Sequence, residues 1–147
     1  MRRRLSDPAI QAYLATRDVV VLGTVEADGA PLITPMWFVH DAAALTMVTP
    51  AGSRKARNLA RDPRVAVVAE SGRRADIKRV TIAGRAEIVP VGDEQRRLAD
   101  RLLDKYAPHV EAKWGGRRLP ADRVMFRIVA RAVSCSGLGP GGRSDDA

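Results

Sequence analysis

The strongest candidate for chemistry in this sequence is a cationic stretch, Ser53-Arg54-Lys55, at the start of a predicted helix. A helix N-terminus presents backbone N–H groups without intrahelical partners and carries a partial positive charge, so cations are unfavourable there. A hydroxyl, a guanidinium and an ammonium group at such a point indicate a phosphate or carboxylate site. The alternative is a Ser53 N-cap followed by two solvated cations, with Asn58, one turn later, holding the loop or facing solvent.

A second candidate site precedes this helix, in the run Thr34-Pro35-Met36-Trp37-Phe38. Proline cannot donate to a β-ladder, so Pro35 marks an edge, a bulge or a place where something other than a strand lies alongside. In a binding site, the backbone at this break would hydrogen-bond a planar heterocycle and the aromatic side chains would shape its pocket. In the alternative, Met36 and Phe38 are core residues at strand period and Trp37 lies on the other face.

Metal and nucleophile chemistry find little support in the remaining residues. The two histidines, His40 and His109, have no acidic partner at ligand spacing, so no metal site is predicted. Cys135 is the single cysteine, which excludes an internal disulfide and suits a reducing compartment. No acid/base pair or nucleophilic triad can be identified from spacing, and the catalytic residues stay unknown.

The elements that must position these candidates form a mainly β pattern in one domain over residues 1–137, followed by a tail at 138–147 that is predicted to be disordered. Strands are predicted at 19–25, 31–40, 44–48, 65–70, 77–90 and 122–134, and helices at 8–15, 53–61 and 92–106. Asp7 and Asp93 are the expected helix caps. Short turns such as Asp28-Gly29 favour an antiparallel barrel with flanking helices, and Gly84 marks a bend or bulge in its strand.

Charge and composition limit the partners. A net charge of +8 raises nucleic acid as a partner, but the basic residues are spread along the chain. No recognition motif is present, and aromatic residues, at 4%, are too few to stack bases, so no specific nucleic-acid partner is expected. No apolar run approaches the roughly 20 residues of a membrane span. The basic N-terminus has no apolar region after it, which predicts no signal peptide and a cytoplasmic location.

Three segments in order, GTVEADGAPLITPMWFVHD, LTMVTPAGSRKARNLARDPRVAVV and VTIAGRAEIV, resemble the pyridoxamine-phosphate-oxidase-like, FMN-binding split-barrel family. The resemblance covers about residues 5–138. It implies a six-stranded antiparallel split barrel with flanking helices. It also implies a homodimer with two cofactor sites at the subunit interface.

The resemblance assigns the anion as the flavin phosphate, held by Arg54 and Lys55 with Ser53 and the helix start alongside. It places the strand containing Trp37 along the ring system, and Arg79 where the oxidases carry a flavin-contacting glutamine. The cofactor-binding residues implied in this way are Thr34, Pro35, Met36, Trp37, Val48, Thr49, Ser53, Arg54, Lys55, Asn58 and Arg79.

Two departures from the oxidase pattern bear on the substrate. The Arg-x-His substrate pair is replaced by Val133-Ser134-Cys135, and Arg127 stands in place of a flavin-facing tryptophan, so phosphopyridoxamine is not the expected substrate. What remains resembles an actinobacterial branch, several of whose members use the deazaflavin coenzyme F-420. The resemblance therefore implies an FMN- or F-420-dependent oxidoreductase transferring hydride to or from an unknown small organic substrate. The alternatives are a non-catalytic flavin carrier and a haem-binding protein with His40 or His109 as axial ligand.

Overall fold

A computed structural model describes residues 3–139 of the chain. The strands are β1 (Val20–Val25), β2 (Pro31–Met36), β3 (Val39–His40), β4 (Ala44–Pro50), β5 (Arg64–Ser71), β6 (Lys78–Ile88) and β7 (Arg123–Ser136). The α-helices are α1 (Pro8–Leu14), α2 (Arg54–Arg61), α3 (Asp93–Tyr106) and α4 (His109–Trp114). Within residues 3–139, no helix is both long enough and apolar enough to span a bilayer. The last eight positions of the predicted tail, 140–147, lie outside the described residues.

The seven strands form one antiparallel sheet in the order β2-β1-β5-β6-β7-β4-β3. β2 and β3 stand at opposite ends of this order, yet only Trp37 and Phe38 separate them along the chain. From Met36 to Val39 the chain makes three Cα–Cα steps, which span at most about 11 Å, so the two edges of the sheet must lie close together. The sheet is therefore curled into a split barrel, which confirms the predicted mainly β fold.

The strand count is seven rather than six because the predicted strand 31–40 is broken. The break lies at Trp37 and Phe38 and not at Pro35, which stays within β2 and pairs with Val21. β2 is an edge strand, where a missing N–H need not remove a ladder hydrogen bond. The sheet therefore tolerates the proline and breaks where the chain crosses from one edge to the other.

Two apolar clusters hold the elements together. The larger fills the barrel, with Leu22, Phe38 and Phe126 fully buried. The smaller lies under α3, whose buried face is Leu98, Ala99, Leu102, Leu103 and Tyr106, much as the helical spacing predicts. Neighbouring residues of β4 divide between them, since Met47 belongs to the larger cluster and Val48 packs against the smaller.

Two local predictions need correction, and one is confirmed. Gly92, not Asp93, is the N-cap of α3, and Asp93 is its first helical residue. No helix is predicted after residue 106, but the structure has the additional helix α4 there, ended by Gly115 in the left-handed region. Asp7 is the N-cap residue of α1, as predicted, although its carboxylate accepts from the Arg4 N–H and makes no cap hydrogen bond.

Gly84 marks a β-bulge, as its position in a long strand predicts. The pairing of β6 with β7 shifts register between Ala83 and Gly84. A Cβ atom at Gly84 would lie 2.1 Å from the carbonyl oxygen of Val129. The bulge therefore needs a residue without a side chain, because two backbones approach each other there.

We expect Gly84→Ala to lower the free energy of unfolding by about 1–3 kcal/mol, since β7 must shift to admit the methyl group. Urea denaturation followed by circular dichroism measures this change. Gly52→Ala is the matched control, because a Cβ atom there meets nothing within 4 Å. A loss at position 84 no larger than that of the control would show that the bulge does not require glycine.

Candidate functional site

A cleft of about 500 Å³ opens where the ends of β2 and β4 and the start of α2 face α3 and α4. Its lining residues are Val19, Pro35, Met36, Trp37, Val48, Thr49, Pro50, Lys55, Leu102, Val110, Lys113, Trp114 and Arg123. The charged members of this lining are two lysines and one arginine, and it includes no acidic or histidine side chain among the residues that the structure describes. The cleft is therefore apolar and aromatic with a cationic charge, a combination that suits a flat ligand carrying an anionic group.

The turn between β4 and α2 brings Lys55 into the cleft. The Ser53 hydroxyl accepts a hydrogen bond from the Ala56 N–H at 3.2 Å, which caps the helix, and lies 3.0 Å from the buried Thr49 hydroxyl. Burial lowers the pKa of Lys55 below its ordinary value of 10.5, because the ammonium loses part of its hydration. An anion beside this ammonium would offset the loss.

The neighbouring polar residues of α2 point elsewhere. The Arg54 guanidinium is exposed and pairs with Glu26. Asn58 is buried, donates to the Thr24 hydroxyl at 3.1 Å and accepts from Arg61 at 3.0 Å. These contacts attach α2 to β1 and to the turn after it, and neither Arg54 nor Asn58 lines the cleft.

The aromatic wall of the cleft comes from the strand break and from α4. The Trp37 ring stacks on the Tyr106 ring, with 5.0 Å between centroids and 16° between planes. The Lys113 ammonium lies 4.9 Å from the centroid of the Trp37 ring, a cation–π distance. Val110 and Trp114 of the same helix also line the cleft. Sequence reasoning missed this helix, although the four-residue spacing of Val110 and Trp114 was a signal for one helix face.

Of the cofactor-binding residues implied by the sequence, the structure brings six together in the cleft: Pro35, Met36, Trp37, Val48, Thr49 and Lys55. Ser53 joins them through its contact with Thr49. Thr34 pairs with Leu22 within β2 and β1, and Arg79 pairs with Glu70 and Ser136 in the middle of the sheet. Thr34, Arg54, Asn58 and Arg79 are thus absent from the lining of the cleft in this chain.

Arg127, which stands in place of the flavin-facing tryptophan, lies on β7 and also does not line the cleft. Its guanidinium makes two hydrogen bonds to Glu94 of α3, at 2.8 and 3.2 Å. This pairing raises the pKa of Arg127 and lowers that of Glu94. Arg127 therefore links β7 to α3 in this chain.

The two histidines lie away from the cleft lining. His40 is half-buried, and its Nδ1 lies 2.9 Å from the Gln11 side-chain oxygen. Burial, with the nearby charges of Lys105 and Arg101, lowers its pKa. Across residues 3–139, no group of three or more His, Cys, Asp or Glu side chains is arranged to hold a metal ion.

The contacts of Asn58 indicate that this residue of α2 stabilises the fold and does not bind a ligand in the cleft. We expect Asn58→Ala to lower the free energy of unfolding by about 1–3 kcal/mol, because the buried Thr24 hydroxyl loses its donor and Arg61 loses an acceptor. Arg54→Ala should cost about 0–1 kcal/mol, since it removes an exposed ion pair. Urea titration of both variants tests the difference. An equal cost for the two would contradict the role assigned to Asn58.

Comparison with known proteins agrees with this fold. A family model described as pyridoxamine 5'-phosphate oxidase matches residues 6–135, while no curated protein matches the chain. A conserved hypothetical protein of Mycobacterium tuberculosis superposes with a TM-score of 0.76 at 29% identity, covering 100% of this chain and 98% of that one.

Two more distant structures share the fold alone. HutZ, a haem storage protein of Vibrio cholerae, is 22% identical with a TM-score of 0.76, over 93% of this chain and 98% of its own. A FAD-binding protein of Mesorhizobium loti is 24% identical with a TM-score of 0.70, over 92% of this chain and 95% of its own. Because the family model matches most of its length, this chain belongs to the pyridoxamine 5'-phosphate oxidase-like split-barrel family.

Proposed function

We propose that this protein is an oxidoreductase that binds FMN or the deazaflavin coenzyme F-420 in the cleft and transfers hydride to or from a small organic substrate. The observation that carries the proposal is the composition of the cleft lining: aromatic and apolar side chains with three cations and no acid. A flavin has the matching chemistry, since it joins a flat ring system to a phosphate group.

The phosphate is assigned to the end of the cleft formed by the β4–α2 turn. Lys55 supplies an ammonium group, Thr49 a hydroxyl, and the first turn of α2 supplies N–H groups and the positive end of the helix dipole. Arg123 pairs in register with Pro50 and so lies beside the same turn. Two cations and several hydrogen-bond donors therefore lie at one end of the cleft and would bind an anion together.

The ring system is assigned to the wall formed by Pro35, Met36 and Trp37, with Val48 and Trp114 as further apolar contacts. When bound, the flavin supplies the hydride chemistry, and this chain supplies orientation, electrostatic complementarity and exclusion of water. No side chain is assigned as a catalytic acid or base, because the described lining holds no carboxylate or imidazole and the Lys55 ammonium is assigned to the phosphate. Substrate protons would come from solvent.

The known relatives support a flavin without selecting one. The family includes enzymes named for pyridoxamine 5'-phosphate oxidation, and the Mesorhizobium loti neighbour is named as FAD-binding. The segment Val133-Ser134-Cys135 lacks the Arg-x-His pair, so we propose a substrate other than phosphopyridoxamine. The net charge of +8 suits the more anionic F-420.

We also propose a homodimer in the cytoplasm. Ile33, Ile88 and Val91 are 72%, 58% and 87% exposed, which is apolar surface that a second copy could cover. The single cysteine, Cys135, suits a reducing compartment. Light scattering of the purified chain would give the mass of the assembly, and a monomer at micromolar concentration would contradict the dimer.

Titration of the purified protein with FMN and with F-420, followed by cofactor fluorescence, tests the proposed function. We expect at least one to bind with a dissociation constant below about 100 μM, which corresponds to about −5.5 kcal/mol. Lys55→Ala should weaken binding by about 1–3 kcal/mol through loss of the charge-assisted contact. Lys78→Ala is the control, because Lys78 is an exposed lysine outside the cleft. Equal affinities for these two variants would remove Lys55 from the site.

The lowered pKa of Lys55 adds a pH dependence to this binding. A phosphate needs the charged ammonium, so affinity should be constant below the pKa of Lys55 and fall as pH rises through it, before the ordinary value of 10.5 is reached. Dissociation constants measured from pH 7 to 10 test this. Lys55→Arg keeps its charge over the whole range and should flatten the profile. The same slope in both proteins would assign the titration to another group.

Two alternatives use the same fold. A non-catalytic flavin carrier would make the same cofactor contacts, and turnover of reduced cofactor with quinones and nitro compounds would distinguish an enzyme from it. Haem binding is suggested by the haem storage neighbour. It requires an axial ligand, and neither His40 nor His109 lines the cleft. A Soret band on addition of haemin, lost in a histidine variant, would favour haem over flavin.

A further inference from the structure

The backbone at Phe38, between β2 and β3, is hydrogen-bonded to side chains of α3 and not to a strand. Phe38 donates its N–H to the Tyr106 hydroxyl oxygen at 2.9 Å. Its carbonyl accepts from the Lys105 ammonium at 2.9 Å and lies 3.0 Å from the Tyr106 hydroxyl. The hydroxyl has one proton to donate, shared between this carbonyl and that of Asp18, 2.8 Å away. Phe38 lies in the connection between β2 and β3 and belongs to neither strand.

Two further contacts of α3 add to these hydrogen bonds, one at His40 and one at the Phe38 ring. The Arg101 guanidinium, one turn before Lys105, donates to the His40 carbonyl at 2.7 Å. The Lys105 ammonium also lies 3.7 Å from the centroid of the Phe38 ring. One end of α3 therefore supplies hydrogen bonds to the Phe38 backbone, which lies outside the strands, and to the adjoining edge strand β3.

Tyr106 joins this backbone anchor to the cleft. Its hydroxyl holds Phe38, and its ring stacks on Trp37, which lines the cleft directly beside Pro35 and Met36. The Phe38 side chain is fully buried and Tyr106 is 7% exposed, so water cannot easily replace a lost hydroxyl. Trp37 directly precedes Phe38, so a shift of the Phe38 backbone also shifts the Trp37 ring, which forms the aromatic wall.

We infer that Tyr106 is a positioning residue for the cofactor site: its hydroxyl fixes the backbone at Phe38 and thereby sets the Pro35–Trp37 wall relative to Lys55. The inference rests on the proposed function, because the wall is argued to carry the flavin ring. This positioning role belongs to the Tyr106 hydroxyl and goes beyond the core packing that the ring alone provides.

Tyr13 offers a matched comparison within the same chain. It is also 7% exposed, and its hydroxyl lies 2.8 Å from the Ser71 hydroxyl and 3.2 Å from the Lys78 carbonyl. It belongs to α1 and to the barrel cluster, and it does not line the cleft. Tyr13→Phe therefore removes a buried hydroxyl with a similar number of partners from a place where no effect on the cleft is expected.

The experiment compares Tyr106→Phe and Tyr13→Phe by two measurements. The first is solvent exchange of the Phe38 amide proton, followed by NMR without cofactor. The second is the dissociation constant for FMN and for F-420. We expect Tyr106→Phe to accelerate Phe38 exchange and to weaken binding of the preferred flavin roughly ten-fold, as for loss of one buried hydrogen bond. We expect Tyr13→Phe to leave both quantities within about two-fold, at a comparable loss of stability.

Three other outcomes would overturn the positioning role. Faster Phe38 exchange with unchanged affinity in Tyr106→Phe would overturn the positioning role while leaving the proposed function intact. Equal losses of affinity in both variants would assign the effect to global stability and also overturn it. Failure of the wild-type chain to bind either flavin would overturn the proposed function itself, and the positioning role with it. If Tyr106→Phe does not fold, Lys105→Met removes the other anchor of Phe38, and the same two measurements decide.

Discussion

The structure depends on one geometric constraint, the passage of the chain from one edge of the sheet to the other within two residues. β2 and β3 are the terminal strands of the sheet, and Trp37 and Phe38 alone connect them. The connection is short enough to force the sheet to curl, and it leaves a stretch of backbone with no neighbouring strand. The polar groups of that stretch must be satisfied by something other than the sheet, and α3 supplies the partners.

The cleft follows from this arrangement. Trp37, at the break, lines the cleft beside residues of α4, and Lys55 enters the same lining from the start of α2, next to the end of β4. The same helix that satisfies the broken backbone also forms part of the cleft wall through Leu102. Packing, hydrogen bonding and the candidate site are therefore consequences of a single crossing.

Electrostatics explains why the cationic turn is acceptable at a helix start. Arg54 and Lys55 follow each other in sequence but differ in surroundings: Arg54 is neutralised by Glu26 on the surface, and Lys55 is partly buried in a cleft without acidic lining. The interpretation as solvated charge thus fits Arg54, and the interpretation as an anion site fits Lys55. A pair of residues that looked equivalent divides into one structural and one candidate binding residue.

Much of this protein could be read from its sequence, because the information was local. Apolar, β-branched runs between turns indicated the strands, and Gly84 indicated the bulge. The spacing of the leucines predicted the buried face of α3, and the family resemblance implied the split barrel. α4 escaped prediction, since six residues between prolines and glycines carry a weak periodic signal. The assignment of Asn58 could not be settled either, because its partner Thr24 is distant in sequence.

The sequence by itself determined which residue types were available, a cationic helix start and a proline-containing aromatic strand, and it indicated the mainly β fold. Only the tertiary structure decided which of them share a cleft. Side-chain direction at a helix start depends on what lies beyond it, so the local sequence could not tell that Arg54 turns to Glu26 while Lys55 faces Trp37 and Trp114. The hydroxyl of Tyr106 had no visible role until folding brought it, across 68 positions of chain, to the N–H of Phe38.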